Sequence, residues 1–230
     1  MNLPPELVAE WEEAAGGYMV EGYGLTEGAP LVSCNPLNDT RRAGSIGIPF
    51  PSTDIRVVDP ETLQDVPLGE EGELWVHGPQ CFAGYWKREE DTQKTITADG
   101  WLRTGDIVRL DEDYFIQIVD RIKEVIITGG FNVSPTAVET ALKQHESVAD
   151  AAVVGIPQDS GGEMVVADVI PAEGHAVDEH ALREHCYARV TRYKVPRKIV
   201  AVDDLPRSML GKILRRKVRE QLLNSEEFSH

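Results

Sequence analysis

A charged tetrapeptide, Asp120-Arg121-Ile122-Lys123, divides this chain into two stretches with different sequence patterns. Two apolar β-branched runs flank it, Tyr114 to Val119 and Val125 to Thr128, and each has the composition of a strand. A direct connection between two strands needs no such cluster of charges. We therefore expect a domain junction and hinge at residues 120–123; the alternative is an ordinary charged turn before a capped helix.

Before the junction, residues 1–119 combine one helical segment with short strands. A helix is predicted at residues 5–15, because an amphipathic stretch begins after Pro4-Pro5 and ends at Gly16-Gly17. Apolar runs separated by prolines and glycines then predict strands at 54–58, 73–77 and 114–119. This part of the chain is expected to form a small antiparallel β subdomain, either an open sheet or a barrel.

After the junction, strands and helices alternate within residues 120–230. The pattern predicts strands near 125–128, 149–155, 164–170 and 198–202, and helices near 135–144, 178–189 and 211–222. The first helix has a clear start, because Ser134 is a suitable cap and Pro135 suits the first helical position. The predicted fold class is α+β, with the antiparallel β subdomain followed by a compact α+β C-terminal domain.

Charge and composition argue against several classes of protein. A net charge of −16 is unsuited to nucleic acid, because binding there rests on clustered cations that neutralise phosphates. No apolar run approaches the roughly 18 residues of a membrane-spanning segment. The acidic N-terminus lacks the pattern of a signal peptide, and the scattered Cys34, Cys81 and Cys186 suit buried thiols. We expect a cytoplasmic protein, with peripheral association with a membrane as the alternative.

A glycine-rich segment follows a strand predicted at Tyr18–Glu21. Glycines such as Gly24 let a backbone approach a ligand, Tyr23 offers a ring face, and Thr26 offers a hydroxyl to a phosphate. Glu27 supplies a hard oxygen of the kind that Mg²⁺ prefers. A dinucleotide fingerprint is excluded, because Glu27 occupies the position of its third glycine. The segment is therefore either a nucleotide-binding edge or a glycine-rich turn.

The segment from Trp101 to Asp106 is a second candidate. Gly105 predicts a tight turn, and the Asp106 carboxylate after it presents two acceptor oxygens suited to a sugar diol. An aspartate that ends a turn is more often a turn residue, so both interpretations stay open.

The third candidate lies in the last part of the chain, where six lysines and arginines stand between residues 207 and 219. An anionic ligand is expected there, unless these residues form a solvated cationic helix face. Gly211-Lys212 is not a Walker phosphate loop, because Pro206 stands at its first glycine and Ile213 replaces its hydroxyl residue. Lys212 is either a mobile charge that stabilises a reacting phosphate or a solvated lysine.

Taken in order, these segments resemble the later motifs of the adenylate-forming enzymes, the superfamily of acyl-CoA synthetases and peptide-synthetase adenylation domains. The resemblance covers nearly the whole chain through Tyr23–Glu27, Gly72–Leu74, Gly84–Trp86, Thr104–Asp106, Asp120–Lys123 and Gly211-Lys212. Three segments are most similar to bacterial medium- to long-chain fatty-acid–CoA ligases, namely Gly129–Pro135, Tyr193–Arg197 and Leu210–Arg216.

The resemblance implies ATP, Mg²⁺ and CoA as substrates and cofactors, a fatty acid as the second substrate, and AMP as a product. By the same resemblance, Tyr23 stacks on adenine beside Gly24, Thr26 contacts the α-phosphate and Glu27 binds Mg²⁺. Asp106 would hold the ribose hydroxyls with help from Arg121.

In the second stretch, the resemblance assigns the hinge to Lys123 and the approach of the CoA thiol to Gly129, Gly130 and Phe131. Lys212 matches the catalytic lysine that bridges the carboxylate and the α-phosphate during adenylation.

Such enzymes carry a large upstream region, including the loop that grips the β- and γ-phosphates, and no such loop occurs in this sequence. The chain therefore resembles the C-terminal part of a ligase whose N-terminal half is missing, and we expect it to be catalytically incomplete alone. The alternatives are a non-catalytic binding module and an adenylating enzyme that loads a carrier protein. One departure, the absence of a glycine before Tyr114, is expected to alter a hairpin turn and leave the contacts above unaffected.

Overall fold

The computed structural model describes residues 5–158, 161–209 and 211–225, and its contacts divide the chain into two compact units. The first unit runs to Ile122 and the second begins at Lys123. Leu210, part of a segment that carried the resemblance, and Pro4, before the first predicted helix, lie outside the described residues.

The first unit consists of two antiparallel sheets and two helices. Strands β1, β2 and β3 form one sheet, and β4, β5, β6 and β7 form the other in that order. The elements are α1 (Pro5–Ala15), β1 (Gly22–Gly24), β2 (Leu31–Cys34), β3 (Ile48–Pro49), β4 (Asp54–Val58), β5 (Glu71–His77), α2 (Glu89–Thr95), β6 (Leu102–Leu110) and β7 (Ile116–Arg121). Among the described residues β4 does not pair with β7, so the larger sheet is open and not a closed barrel.

Both sheets of the first unit contribute to one hydrophobic core. Tyr23 and Val32 come from the smaller sheet, and Leu74, Val108 and Ile116 from the larger one. Along β5, glycine and apolar residues at 72, 74 and 76 alternate with Glu73, Trp75 and His77, which is the period of a strand with two different faces. The core therefore lies on one face of the larger sheet, and the other face carries polar and aromatic side chains.

The second unit is a three-stranded sheet covered on both faces. Strand β10 pairs antiparallel with β11, and β11 pairs parallel with β12. The elements are β8 (Ile126–Thr128), β9 (Phe131–Val133), α3 (Pro135–Lys143), β10 (Val148–Pro157), β11 (Glu163–Pro171), α4 (Glu179–Tyr187), β12 (Lys198–Ala201) and α5 (Arg215–Leu223). This arrangement confirms the predicted α+β class.

Alternate residues of β10 enter two separate cores, which explains why this strand is apolar on both faces. Ala151 and Val153 pack with Leu142 of α3 and Leu182 of α4. Ala152, Val154 and Ile156 pack on the opposite face in a cluster that includes Val218 and Leu222 of α5. Helices α3 and α4 thus cover one face of the sheet and α5 covers the other.

Several predicted boundaries were wrong. The strand expected at Tyr18–Glu21 forms at Gly22–Gly24, and the final helix begins at Arg215 instead of near residue 211, because Arg207 and Ile213 form an antiparallel bridge. The segment around Asp106, interpreted as a turn, lies inside the nine-residue strand β6. The start of α3 was predicted well, because Ser134 Oγ accepts a hydrogen bond from the Ala137 amide at 3.3 Å.

The turn between β6 and β7 carries the departure noted in the sequence. Tyr114 has a φ of +64°, in the left-handed region that favours glycine, and its side chain is 61% exposed. Asp111 stabilises the turn by accepting the amides of Asp113 and Phe115 at 2.9 and 3.0 Å. Arg42 forms ion pairs with both Asp111 and Asp113. The turn therefore still contains one residue in the left-handed conformation, and that residue is Tyr114 instead of glycine.

Candidate functional site

The first unit brings three predicted site residues together around one buried carboxylate. The Tyr23 hydroxyl donates to Asp106 Oδ2 at 2.5 Å, and Arg121 Nε donates to Asp106 Oδ1 at 2.8 Å. Asp106 is only 4% exposed, whereas the Arg121 side chain is 58% exposed. The cluster therefore extends from the core of the unit to its surface.

A bulge in β6 sets the direction of the Asp106 side chain. Glu73 and Trp75 of β5 pair with Ile107 and Arg103, so Thr104, Gly105 and Asp106 face only Leu74. Gly105 has a φ of +72°, which allows the chain to bend there at little cost. The Thr104 hydroxyl donates to the Leu74 carbonyl at 2.8 Å and accepts the Asp106 amide at 3.1 Å.

Tyr23 stays protonated in this cluster. Burial, supported by the negative charge of Asp106 and the hydrogen bond to it, raises the pKa of Tyr23 well above its usual value. The phenol therefore remains a donor to Asp106 over the whole physiological pH range. Each carboxylate oxygen has a second lone pair, so Asp106 can still accept hydrogen bonds from a diol.

Gly24, Thr26 and Glu27 follow Tyr23, and each has a different local role. A Cβ on Gly24 would meet the Pro30 carbonyl oxygen at 2.0 Å, so the tight turn itself requires glycine. Thr26 is exposed at the start of a short 3-10 helix, Thr26–Gly28. Glu27 Oε1 accepts the hydroxyl of Tyr85 at 2.5 Å, a contact that sequence reasoning did not predict.

The described residues contain no group of three or more His, Cys, Asp or Glu side chains placed to hold a metal ion. Glu27 is thus a single carboxylate, and one of its oxygens is engaged by Tyr85. That arrangement fits Mg²⁺ held by one carboxylate together with phosphate oxygens of a substrate, as is usual for this ion.

In the second unit, Gly129 and Gly130 form the two-residue turn between β8 and β9. Their φ values are +58° and +81°, and Thr128 pairs with Phe131 across the turn, as in a type I′ hairpin. No described atom lies within 4 Å of a Cβ built on either glycine, so the outer side of the turn is open. Phe131 is 53% exposed and stacks on Tyr193 with ring centroids 4.5 Å apart.

Lys212 lies on a hairpin that Arg207 connects to Asp150 in β10. Ser208 and Lys212 are joined by backbone hydrogen bonding at 2.8 Å, and Gly211 at the turn has a φ of +79°. Arg207 donates to the Gly211 carbonyl at 3.1 Å and to Asp150 Oδ2 at 2.5 Å. The Lys212 side chain is exposed, and within the described part of the chain its ammonium has no hydrogen bond or ion pair.

Arg215, just after this hairpin, connects three elements. It forms an ion pair with Glu124, donates to both carboxylate oxygens of Glu139 at 2.8 and 2.6 Å, and donates to the Thr136 hydroxyl at 2.8 Å. Glu139 also accepts the Val153 amide at 2.9 Å. Because Lys123 precedes Glu124 in the same 3-10 turn, Ile122–Glu124, Arg215 links the predicted hinge to α3 and α5.

Most of the basic residues predicted to attract an anion have carboxylate partners. Arg207, Arg215 and Arg219 pair with Asp150, Glu139 and Glu163, and Arg216 pairs with Glu220. The predicted site residues Lys123, Gly129-Gly130 and Lys212 lie in three separate turns and Phe131 begins β9, and among the described residues no hydrogen bond or ring contact joins the three turns. Among the described residues, Lys212 and Lys217 are the basic residues of this region that are exposed and have no carboxylate partner, and only Lys212 of these two lies on the hairpin.

Comparisons with known proteins agree with the resemblance seen in the sequence. The family model for AMP-binding enzymes matches residues 1–86, and the model for the C-terminal domain of AMP-binding enzymes matches residues 137–212. The long-chain-fatty-acid–CoA ligase of Yersinia pestis is 44% identical over 221 residues, which is 96% of this chain and 39% of that protein. That of Salmonella typhimurium is 47% identical over 216 residues, 94% of this chain and 38% of that protein.

Solved structures show the same relationship. ATP-bound MatB from Rhodopseudomonas palustris superposes with a TM-score of 0.87 at 35% identity, over 95% of this chain and 43% of that one. The amide bond synthetase McbA from Marinactinospora thermotolerans superposes with a TM-score of 0.81 at 33% identity, over 95% of this chain and 44% of that one. The chain spans about two fifths of the length of the curated relatives it matches. It belongs to the AMP-binding, adenylate-forming enzyme family.

Proposed function

We propose that this chain contributes the ribose-binding carboxylate, the hinge and the catalytic lysine of an ATP-dependent fatty-acid–CoA ligase. In the first step, a fatty-acid carboxylate attacks the α-phosphate of ATP and forms acyl-AMP, with pyrophosphate as the leaving group. In the second step, the CoA thiol attacks the acyl carbonyl, the thioester forms, and AMP leaves.

The buried cluster around Asp106 is the observation that supports this proposal most strongly. Two donors, Tyr23 and Arg121, fix both carboxylate oxygens and leave lone pairs for the two ribose hydroxyls. Such a preorganised acceptor pair is what recognition of a sugar diol needs. Tyr23 would contact adenine through the small part of its side chain that remains exposed.

Thr26 and Glu27 are the proposed contacts to the phosphates. Thr26 is exposed and follows Tyr23 by three residues, and its hydroxyl would donate to the α-phosphate. Glu27 would hold Mg²⁺, which when bound shields the phosphate charges from the approaching carboxylate. Tyr85 fixes the rotamer of Glu27 through its hydroxyl and so orients the oxygen that would face the ion.

Lys212 would stabilise the charge that develops between the fatty-acid carboxylate and the α-phosphate. Arg207 connects the Gly211 carbonyl, one residue before Lys212, to Asp150, and so anchors the backbone next to the lysine. Losing one preorganised donor of this kind typically costs about 2.7–4 kcal/mol, or roughly 100- to 1,000-fold in rate. The second step needs no such cation, so we expect Lys212 to matter for adenylation alone.

Lys123 and the Gly129-Gly130 turn are proposed to act in the conformational change between adenylation and thioester formation. Lys123 is the first residue of the second compact unit, which supports its assignment as the hinge. The open side of the glycine turn, beside the exposed ring of Phe131, would give the pantetheine arm of CoA room to approach.

The test uses a chimera in which this chain replaces the matching segment of the Yersinia pestis ligase, whose own activity serves as reference. We expect palmitate-dependent exchange of pyrophosphate into ATP, reduced at least 100-fold by Lys212→Ala, while conversion of synthetic palmitoyl-AMP to the thioester stays within about twofold. Lys217→Ala, an exposed lysine on the neighbouring helix, is the matched control. If Lys212→Ala slowed both half-reactions equally, or left the pyrophosphate exchange unchanged, the role of Lys212 in adenylation would be refuted.

The acceptor of the acyl group is a separate question, because a structural relative of this chain is an amide bond synthetase. We expect CoA to be preferred, since the curated relatives are named as CoA ligases. Turnover of palmitoyl-AMP with CoA, with a pantetheinylated carrier protein and with a simple amine compares the three acceptors. Faster reaction with the carrier protein or the amine would overturn the choice of CoA.

A further inference from the structure

Glu73 is a buried acidic residue to which no part of the proposed mechanism assigns a role. It lies in the middle of β5, is 2% exposed, and faces away from the hydrophobic core. A buried carboxylate is costly unless donors surround it, and a residue without a special task at this place is ordinarily apolar or exposed. Its contacts therefore indicate what it does.

Four N–H donors converge on the Glu73 carboxylate. Trp75 Nε1 donates to Oε2 at 2.7 Å, and Arg103 donates to the same oxygen through Nε and Nη2, both at 3.3 Å. The backbone amide of Gly105 donates to Oε1 at 3.0 Å. One carboxylate oxygen is thus held by two neighbouring side chains, and the other is directed at the β6 bulge.

The Gly105 amide needs this acceptor because of the bulge itself. Thr104, Gly105 and Asp106 face only Leu74 of β5, so the regular ladder between β5 and β6 is interrupted there. Unpaired backbone amides in the interior are costly, and each requires another acceptor. Thr104 Oγ1 accepts the Asp106 amide, and Glu73 accepts the Gly105 amide.

We propose that Glu73 is the positioning residue of the ribose site: its carboxylate fixes the β6 bulge through the Gly105 amide and thereby aims Asp106 at the sugar hydroxyls. This inference rests on the proposed role of Asp106. Glu73 itself touches no ligand and acts only through Gly105, one residue before Asp106.

The central variant is Glu73→Gln, which keeps the size of the side chain but removes one acceptor. The amide oxygen can serve either the Gly105 amide or the Trp75 and Arg103 donors, and its NH₂ group must face the other set. Glu71→Gln is the matched control, because Glu71 lies in the same strand and is exposed. Circular dichroism and tryptophan fluorescence verify that both variants fold.

The assay measures binding of AMP, 2′-deoxy-AMP and 3′-deoxy-AMP to this chain by calorimetry, since AMP requires no contacts to β- or γ-phosphates. We expect the chain to prefer AMP, and Glu73→Gln to lose about tenfold in AMP affinity but less in affinity for the deoxy nucleotides, because each of these keeps a single hydroxyl for Asp106. Glu71→Gln should retain the full preference. A general loss of structure would weaken all three nucleotides together, so the ratio isolates the positioning role.

Asp106→Asn separates this inference from the function on which it rests. If the chain shows no preference for AMP, or Asp106→Asn keeps that preference, the ribose role of Asp106 is wrong and the inference falls with it. If Asp106→Asn abolishes the preference but Glu73→Gln keeps it, Asp106 binds ribose and Glu73 does not position it. Amide hydrogen exchange at Gly105 adds an independent readout, and an unchanged rate in Glu73→Gln would also overturn the inference.

Discussion

The hydrogen bond between Tyr23 and Asp106 should contribute substantially to the stability of the first unit, and a double-mutant cycle can measure it. Both partners are buried, with exposures of 8% and 4%, and their oxygens are 2.5 Å apart. A hydrogen bond to a charged group contributes about 1.5–3 kcal/mol, so we expect a coupling free energy of about 2 kcal/mol between Tyr23→Phe and Asp106→Asn.

A second tyrosine–carboxylate pair in the same unit is a natural control. The Tyr85 hydroxyl donates to Glu27 Oε1 at the same 2.5 Å, but both residues are partly exposed, so water competes for each partner. The cycle of Tyr85→Phe with Glu27→Gln should therefore give a coupling below about 1 kcal/mol. The two hydrogen bonds have the same length but differ in burial, and Asp106 also accepts from Arg121, so the comparison tests whether the buried cluster strengthens this contact.

Urea unfolding followed by tryptophan fluorescence measures both cycles on this chain. All four tryptophans, Trp11, Trp75, Trp86 and Trp101, lie in the first unit, so the signal reports that unit alone. Equal coupling in the two cycles, or a coupling below about 0.5 kcal/mol for Tyr23 and Asp106, would refute the reasoning that burial strengthens this contact.

Three further predictions concern single residues. Tyr114→Gly should stabilise the first unit by about 0.5–1 kcal/mol, because it removes the cost of a left-handed tyrosine, whereas a lower urea midpoint would contradict the turn geometry. Arg215→Met should destabilise the second unit by about 3 kcal/mol, because Glu139 is left buried without its cation; circular dichroism measures this, and the exposed Arg216→Met should change stability by less than about 0.5 kcal/mol. Burial raises the pKa of the Cys186 thiol to about 11, so a thiol reagent at neutral pH should label it only after unfolding; rapid labelling of the native chain would disagree with its place in the core.

The parts of the fold that follow from local rules were readable from the sequence. The cap at Ser134 with Pro135 identified the start of α3, and the apolar runs identified β10 and β11. Helix α2 was not predicted, because it buries no residue and so has no apolar periodicity. The short strand β1 was misplaced by four residues, since its three residues, Gly22–Gly24, contain two glycines and carry almost no strand signal.

The candidate site was predictable as a set of residues but not as an arrangement. Tyr23 and Asp106 are 83 residues apart, and no spacing rule connects them. Asp106 was assigned to a turn because Gly105 has the signature of one, whereas the glycine serves a bulge inside a long strand. Glu73 lay in the segment Gly72–Leu74, which carried part of the resemblance, but its buried carboxylate was not predicted; an acidic residue inside the otherwise apolar β5 was the local signal for it.

The contacts of Arg215 connect the start of the second unit to the segment that follows the Lys212 hairpin. A single guanidinium holds Glu124, one residue after Lys123, and sits three residues after Lys212. On the other side of the hairpin, Arg207 donates a hydrogen bond to Asp150 in β10. If the second unit turns about the proposed hinge at Lys123, these contacts would carry the Lys212 hairpin with it, and the displacement of the ammonium would depend on its distance from Lys123.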